Sequence, residues 1–148
     1  MNGWFRRRGW ANHAAGISRF NVICDAAKGA IVGYVTLSAA QIQRASLSKG
    51  HQRNKPDPIP ATLLGQPAIH KDWQGRGYAG SLLQFALRTA IRASRDVASW
   101  GVLTHPLDET ARAFYARQGF EDLPFDPHSA MIIRMVDIET NATSGRVS

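Results

Sequence analysis

The chain has 148 residues, which fits one domain of ordinary size and leaves little room for a second. Apolar residues make up 44% and charged residues 20%, a balance unlike that of a disordered chain, and the longest mostly apolar stretch, residues 30–40, is too short to cross a bilayer. The net charge of +7 lies entirely in residues 1–60, which hold nine basic and two acidic side chains, against nine of each in 61–148. Such asymmetry fits a polyanionic partner for one surface, and equally a basic surface with no particular partner.

Cys24 is the only cysteine, so neither an intrachain disulfide nor a paired-cysteine zinc site is expected. The five histidines are scattered without ligand-like spacing, and no metal is expected. The start Met1-Asn2-Gly3-Trp4-Phe5-Arg6-Arg7-Arg8 has no apolar core of a secretory signal, so the expected compartment is the cytoplasm.

In chain order, residues 2–15 read as a helix that Gly16 ends. Residues 20–24 read as a strand, 25–29 as a turn and 31–37 as a second strand, together an antiparallel hairpin. Residues 40–60 begin as a strand or short helix and become a polar loop from Ser48, where Pro56, Pro58 and Pro60 forbid a helix. Residues 61–69 read as a central strand broken by a bulge or splay near Pro67, because proline removes a ladder donor. Residues 77–95 form the clearest helix, with Leu82, Leu83, Ala86, Leu87, Ala90 and Ile91 on one face and Gln84, Arg88, Arg92 and Arg95 opposite. A short strand at 100–104, a helix at 108–118 stopped by Gly119, a last strand at 130–136 and a flexible tail from about residue 138 complete the reading. The order implies one α+β domain, a mixed and mostly antiparallel sheet with helices on both faces.

Two segments carry chemistry. Gln74-Gly75-Arg76-Gly77-Tyr78-Ala79-Gly80 lies between a strand and the long helix. Glycines let the backbone turn tightly and approach a ligand, while the free N–H groups of the helix start and its dipole favour a phosphate. A Walker loop would need a Gly-Lys pair, which this turn lacks. The second segment, Asp108 to Phe120, has the form D-x-x-A-x-x-F-Y-x-x-x-G-F.

The ordered pair resembles the GNAT superfamily of N-acetyltransferases, over about residues 31–136. The resemblance implies the GNAT fold with its central splay. It also implies acetyl-CoA as cosubstrate, contacted by Ala68, Ile69, Gln74, Gly75, Arg76, Gly77, Tyr78, Ala79, Gly80 and Asp108. Within that superfamily, Asn54 to Pro60, Leu64 to His70, Arg7-Arg8 with Asn12-His13, and Phe125-Asp126-Pro127 are similar to the GNAT toxins of bacterial toxin–antitoxin modules. Those enzymes acetylate the α-amino group of aminoacyl-tRNA and block translation. The likeness implies a ribbon-helix-helix antitoxin and a homodimer as assemblies. Two departures stand out: Pro67 replaces the family's leucine, and the family's leading strand and helix are missing ahead of Trp4. Either the sheet lacks its first strand or Met1 is not the native start.

Tyr115 is the candidate general acid, since a phenol with a pKa of about 10 is protonated at neutral pH and can protonate a thiolate. Alternatively it is a packed helix residue beside Phe114. An α-amine, with a pKa of about 8, needs little help from a base, which suits the lack of an acidic residue near the core strands. His105 stands beside the acyl site or in solvent, His70 is expected to be structural, and Asp108 to contact pantetheine or cap its helix. Arg6, Arg7, Arg8, Lys49, Arg53 and Lys55 are the candidates for tRNA phosphates. Two other readings stay open: a GNAT enzyme for a small-molecule or protein amine, and a non-catalytic CoA- or partner-binding module.

Overall fold

The computed structural model describes residues 19–25 and 30–143. The expected helix 2–15, most of the turn at 25–29, the end of the tail, and Arg6, Arg7 and Arg8 lie outside the described residues.

Strands β1 (Arg19–Asp25) and β2 (Ala30–Ile42) form the expected antiparallel hairpin, with a register shift between Ile23 and Cys24. β2 is much longer than its β-branched run suggests. It continues through Ser38, Ala39 and Ala40 because β3 (Ile59–Leu64) pairs with that half, from Leu37 against Leu64 to Ile42 against Ile59. Between them lie a 3₁₀ turn, Arg44–Ser46, and the four-residue helix α1, Lys49–Gln52. This short helix replaces the loop expected from Ser48, whereas the proline-rich stretch after it is loop until β3 begins.

The predicted central strand 61–69 is two strands. β3 ends at Leu64, and β4 (Ala68–Ile69) follows after a three-residue break that includes Pro67. Both pair with β2, β4 through Gly33 and Tyr34. After a 3₁₀ turn at Lys71–Trp73 comes the long helix α2, Tyr78–Ser94, followed by β5 (Gly101–Thr104) and α3 (Glu109–Arg117). Two-residue β6 (Glu121–Asp122) and β7 (Met131–Arg134) close the sheet. The strand order is β1-β2-β3-β5-β7-β6, with β3 and β5 the one parallel pair among the described residues.

The tail expectation is corrected. The last strand stops at Arg134, and the chain goes on as helix α4, Met135–Thr143, with Met135 and Ile138 buried in the core. The run Met131-Ile132-Ile133 hides this change because the apolar spacing shifts from two to three only at Met135 and Ile138.

Alternation along the strands divides the core into two. Val35, Leu37, Leu64, Val102, Met131 and Ile133 face α2, α4 and Tyr115 of α3. Ile42, Ile59, Ala61, Leu103 and Ile132 face the other way, under Leu47 and the loop from Leu123 to Ala130. The six apolar residues predicted for α2 are its buried ones. Leu82 and Leu83 are fully buried, each contributing on the order of 2 kcal/mol by burial.

Candidate active site

The site begins where two strands part. Thr104 Oγ1 donates to the Leu64 carbonyl (3.2 Å), the last link between β3 and β5. Beyond it the chain stays with β2: Gly65 donates to Thr36 (3.0 Å) and His70 to Val32 (2.7 Å). With the His70 N–H directed at β2, strand alternation turns the Ile69 N–H and carbonyl toward the opposite, open edge. Gln74 Nε2 caps that carbonyl at 3.0 Å, which leaves the Ile69 N–H facing the gap. A Cβ at Gly33 would stand 2.7 Å from the Ala68 carbonyl, so glycine is what lets β4 lie close to β2.

The glycine turn follows directly. Gly75 (φ 78°) and Gly77 (φ 80°) occupy the left-handed region that glycine tolerates best. Gly77 is the N-cap of α2 and provides no side-chain cap. The first backbone bond there runs from the Ser81 N–H to the Gly77 carbonyl, so the N–H groups of Tyr78, Ala79 and Gly80 have no partner within the helix. Apart from the adjoining residues and the helix's own backbone, nothing lies within 4 Å of a Cβ built at Gly75, Gly77 or Gly80. The helix end is thus open for an anion, with the dipole behind it. Arg76 stands 5.0 Å over the Trp73 ring, which meets Tyr78 edge-on at 5.8 Å, so its charge is held beside the turn.

Tyr115 arrives from α3 on the far side of the gap. It is 1% exposed, with Phe114 and Phe120 at ring distances of 5.3 and 5.2 Å. Burial pushes its phenol above the ordinary tyrosine value, and the Thr104 hydroxyl beside it pulls part of the way back. Its hydroxyl donates to Gln66 Oε1 at 3.4 Å. Sequence reasoning missed Gln66 and Thr104, which lie 49 and 11 positions away and show no local pattern.

The remaining candidates divide. Asp108 caps α3, its carboxylate accepting from the Ala111 N–H at 2.8 Å. His70 caps the 3₁₀ turn through Nδ1, accepting from the Asp72 N–H at 3.2 Å, the structural role expected of it. His105 is exposed at the end of β5. Lys49 and Arg53 are exposed, and Lys55 lies 5.0 Å from the Trp100 ring. These three precede β3, whose first residue lies about 17 Å from Leu64 and the gap by the five steps of the strand. Two surface hollows also lie away from the gap, one between Leu47, His51, Trp100 and Arg134, the other between Ile42, Leu103 and His128.

A strand pair that splays beside a glycine turn, with a buried phenol across the gap, defines an acyl-transfer fold. Residues 17–122 match the family model described as an acetyltransferase (GNAT) domain, and the chain belongs to that family. It is 35% identical over 133 residues to the tRNA-acetylating toxin of Mycobacterium tuberculosis, spanning 90% of this chain and 79% of that protein. Among solved structures it is similar to AtaT complexed with acetyl-methionyl-tRNAfMet, with a TM-score of 0.86, 30% identity, and 94% and 84% of the two chains covered. It is also similar to a tyrosine-to-phenylalanine mutant of AtaT bound to the C-terminus of the antitoxin AtaR and acetyl-CoA. There the TM-score is 0.80 at 26% identity, over 96% and 83%.

Proposed function

We propose that this GNAT enzyme transfers the acetyl group of acetyl-CoA to the α-amino group of an aminoacyl-tRNA, acting as the toxin of a toxin–antitoxin module. The observation that carries the reading is the meeting of the open β4 edge, the uncapped start of α2 and the Tyr115 phenol at one end of the sheet. The likeness to the mycobacterial tRNA-acetylating toxin selects the acceptor.

The unpaired N–H groups of Tyr78, Ala79 and Gly80, with Arg76, fit a pyrophosphate, and the open edge of β4 at Ile69 fits an extended pantetheine arm. The Ile69 N–H then donates to the thioester carbonyl and stabilises the oxyanion. As the amine attacks, the C–S bond breaks with its electron pair on sulfur, and Tyr115 gives that sulfur its proton. The nitrogen loses its proton to water. Asp108 caps its helix start through one carboxylate oxygen.

Lys49, Arg53 and Lys55, with Arg6, Arg7 and Arg8, supply the charge for the tRNA backbone. The separation of Lys49, Arg53 and Lys55 from the gap suits stem phosphates while the 3′ end reaches Tyr115. A ribbon-helix-helix antitoxin and a homodimer are the expected assemblies; the antitoxin-bound AtaT structure supports an antitoxin partner. No helix of the described residues is long and apolar enough to cross a membrane, and charged tRNA places the enzyme's work in the cytoplasm.

The test is incubation with labelled acetyl-CoA and a mixture of charged tRNAs, with polyamines and peptides in parallel. Label on aminoacyl-tRNA is expected. Label confined to polyamines or peptides would give the acceptor to the small-molecule or protein reading, and no turnover with any of them would remove the enzyme reading.

A further inference from the structure

Gln66 lies in the break between β3 and β4, and its side chain is the one group among the described residues that spans the gap there to both β5 and α3. Its backbone is fixed on both sides. Gly65 is bonded to Thr36, and a Cβ at Gly65 would collide with Thr36 Oγ1. Pro67 has a set φ and holds the residue before it extended. From this base the amide crosses the splay. Nε2 donates to the His105 carbonyl at the end of β5 (2.5 Å), and Oε1 accepts from the Tyr115 hydroxyl (3.4 Å).

These contacts fix the direction of both bonds. Only the amide nitrogen can donate to a carbonyl, so the amide oxygen faces the phenol. An amide oxygen has no proton, so the phenol must be the donor. An acceptor of this kind favours the protonated phenol over the phenolate.

We propose that Gln66 is a positioning residue for the acid: it aims the Tyr115 O–H into the gap and holds it there until the departing thiolate replaces it as acceptor. The inference rests on the reading of Tyr115 as general acid. In the step, the electron pair of the broken C–S bond stays on sulfur. The Tyr115 proton moves to that sulfur, the bond to Gln66 Oε1 is released, and the phenolate regains a proton from water. A charged thiolate is a stronger hydrogen-bond acceptor than an amide carbonyl, so the O–H turns from Gln66 to the sulfur ahead of the transfer.

The experiment compares Gln66→Leu, which removes both bonds at similar volume, with Gln66→Glu, which keeps an acceptor and adds negative charge. The Tyr115 titration is read from phenolate absorbance as the difference between each protein and the same protein carrying Tyr115→Phe. In Gln66→Leu the titration falls by about half a pH unit, as for removal of one weak hydrogen bond to the protonated form. In Gln66→Glu it rises. The kcat of Gln66→Leu drops about tenfold, a fraction of the general-acid contribution, while KM for acetyl-CoA stays within about twofold. In the Tyr115→Phe background Gln66→Leu costs nothing further. A titration that stays put or moves the same way in both variants overturns the proposal, as does an equal kcat loss in both backgrounds. Gln66→Met makes the same comparison if Gln66→Leu does not fold. Undiminished turnover in Tyr115→Phe alone would remove the general-acid reading and this inference with it. A large loss there with an unmoved titration removes only the role of Gln66.

Discussion

Gly33→Ala tests the edge on which the cosubstrate is expected to lie. The added Cβ would stand 2.6 Å from Ile69 Cδ1 and 2.7 Å from the Ala68 carbonyl oxygen. The isoleucine tip can rotate away, but the carbonyl is backbone, so relief requires β4 to move off β2 by about half an ångström. β4 is two residues long, and few bonds resist that movement: its rungs with Gly33 and Tyr34 and the His70 bond to Val32. Overpacking and weakened rungs together put the loss of stability at about 1–3 kcal/mol. The Ile69 N–H shifts with the strand, so acetyl-CoA should bind about tenfold more weakly, as for removal of roughly one good hydrogen bond. Thermal unfolding and calorimetric titration measure the two effects, with Gly50→Ala as control, where a Cβ meets nothing within 4 Å. A Gly33→Ala protein with native affinity and native melting would refute the β2–β4 packing and the cofactor edge derived from it.

Four further outcomes are expected. Gly77→Ala forces a left-handed residue with open space around it, so it should cost about 1–2 kcal/mol from backbone strain alone and weaken acetyl-CoA binding, which melting and calorimetry would read. Ile138→Ala should cost about 2–4 kcal/mol in a denaturant titration, since α4 packs on α2 and Ile138 is 4% exposed. Reversing Lys49, Arg53 and Lys55 to Glu should weaken tRNA binding with KM for acetyl-CoA unchanged; the log–log salt slope should flatten by up to about 0.9 for each duplex phosphate the variant no longer neutralises. Tyr115→Phe should lower kcat by about 10²–10⁴-fold. Because the acid works protonated and burial raises its pKa, the native rate should lose this group only above the ordinary tyrosine range; a fall at lower pH would point to another acid.

The elements read most clearly in the sequence are those whose signals are local. The α2 stripe repeats at helical spacing, and Gly75 and Gly77 mark a turn because few other residues accept their φ. Pro67 marks the splay because a missing N–H interrupts a ladder wherever it falls. What stays hidden depends on distant partners. The second half of β2 is a strand because β3 lies beside it, and its Ser-Ala-Ala run has no strand signal of its own. α4 is concealed by the apolar run before it, and α1 by its polar sequence and Gly50. The reach of Gln66 to His105 and Tyr115 spans 39 and 49 positions, and no spacing rule encodes it. The sequence leaves Asp108 with two roles, and the structure supplies the bond of one of them, the helix cap.

The uncapped start of α2 has a consequence for the protein's persistence as well as for its chemistry. A helix whose first turn begins on glycine starts with unsatisfied donors, and in the proposed site the pyrophosphate completes it. The cosubstrate is then also a structural part of the fold. Any ligand that binds only the folded state adds RT ln(1 + [L]/Kd) to stability, about 2.7 kcal/mol at a hundredfold excess over Kd. A cell rich in acetyl-CoA would hold this enzyme folded longer and shield it from proteolysis. Starvation for acetyl-CoA would shorten its lifetime at the moment it also ran short of its acetyl donor.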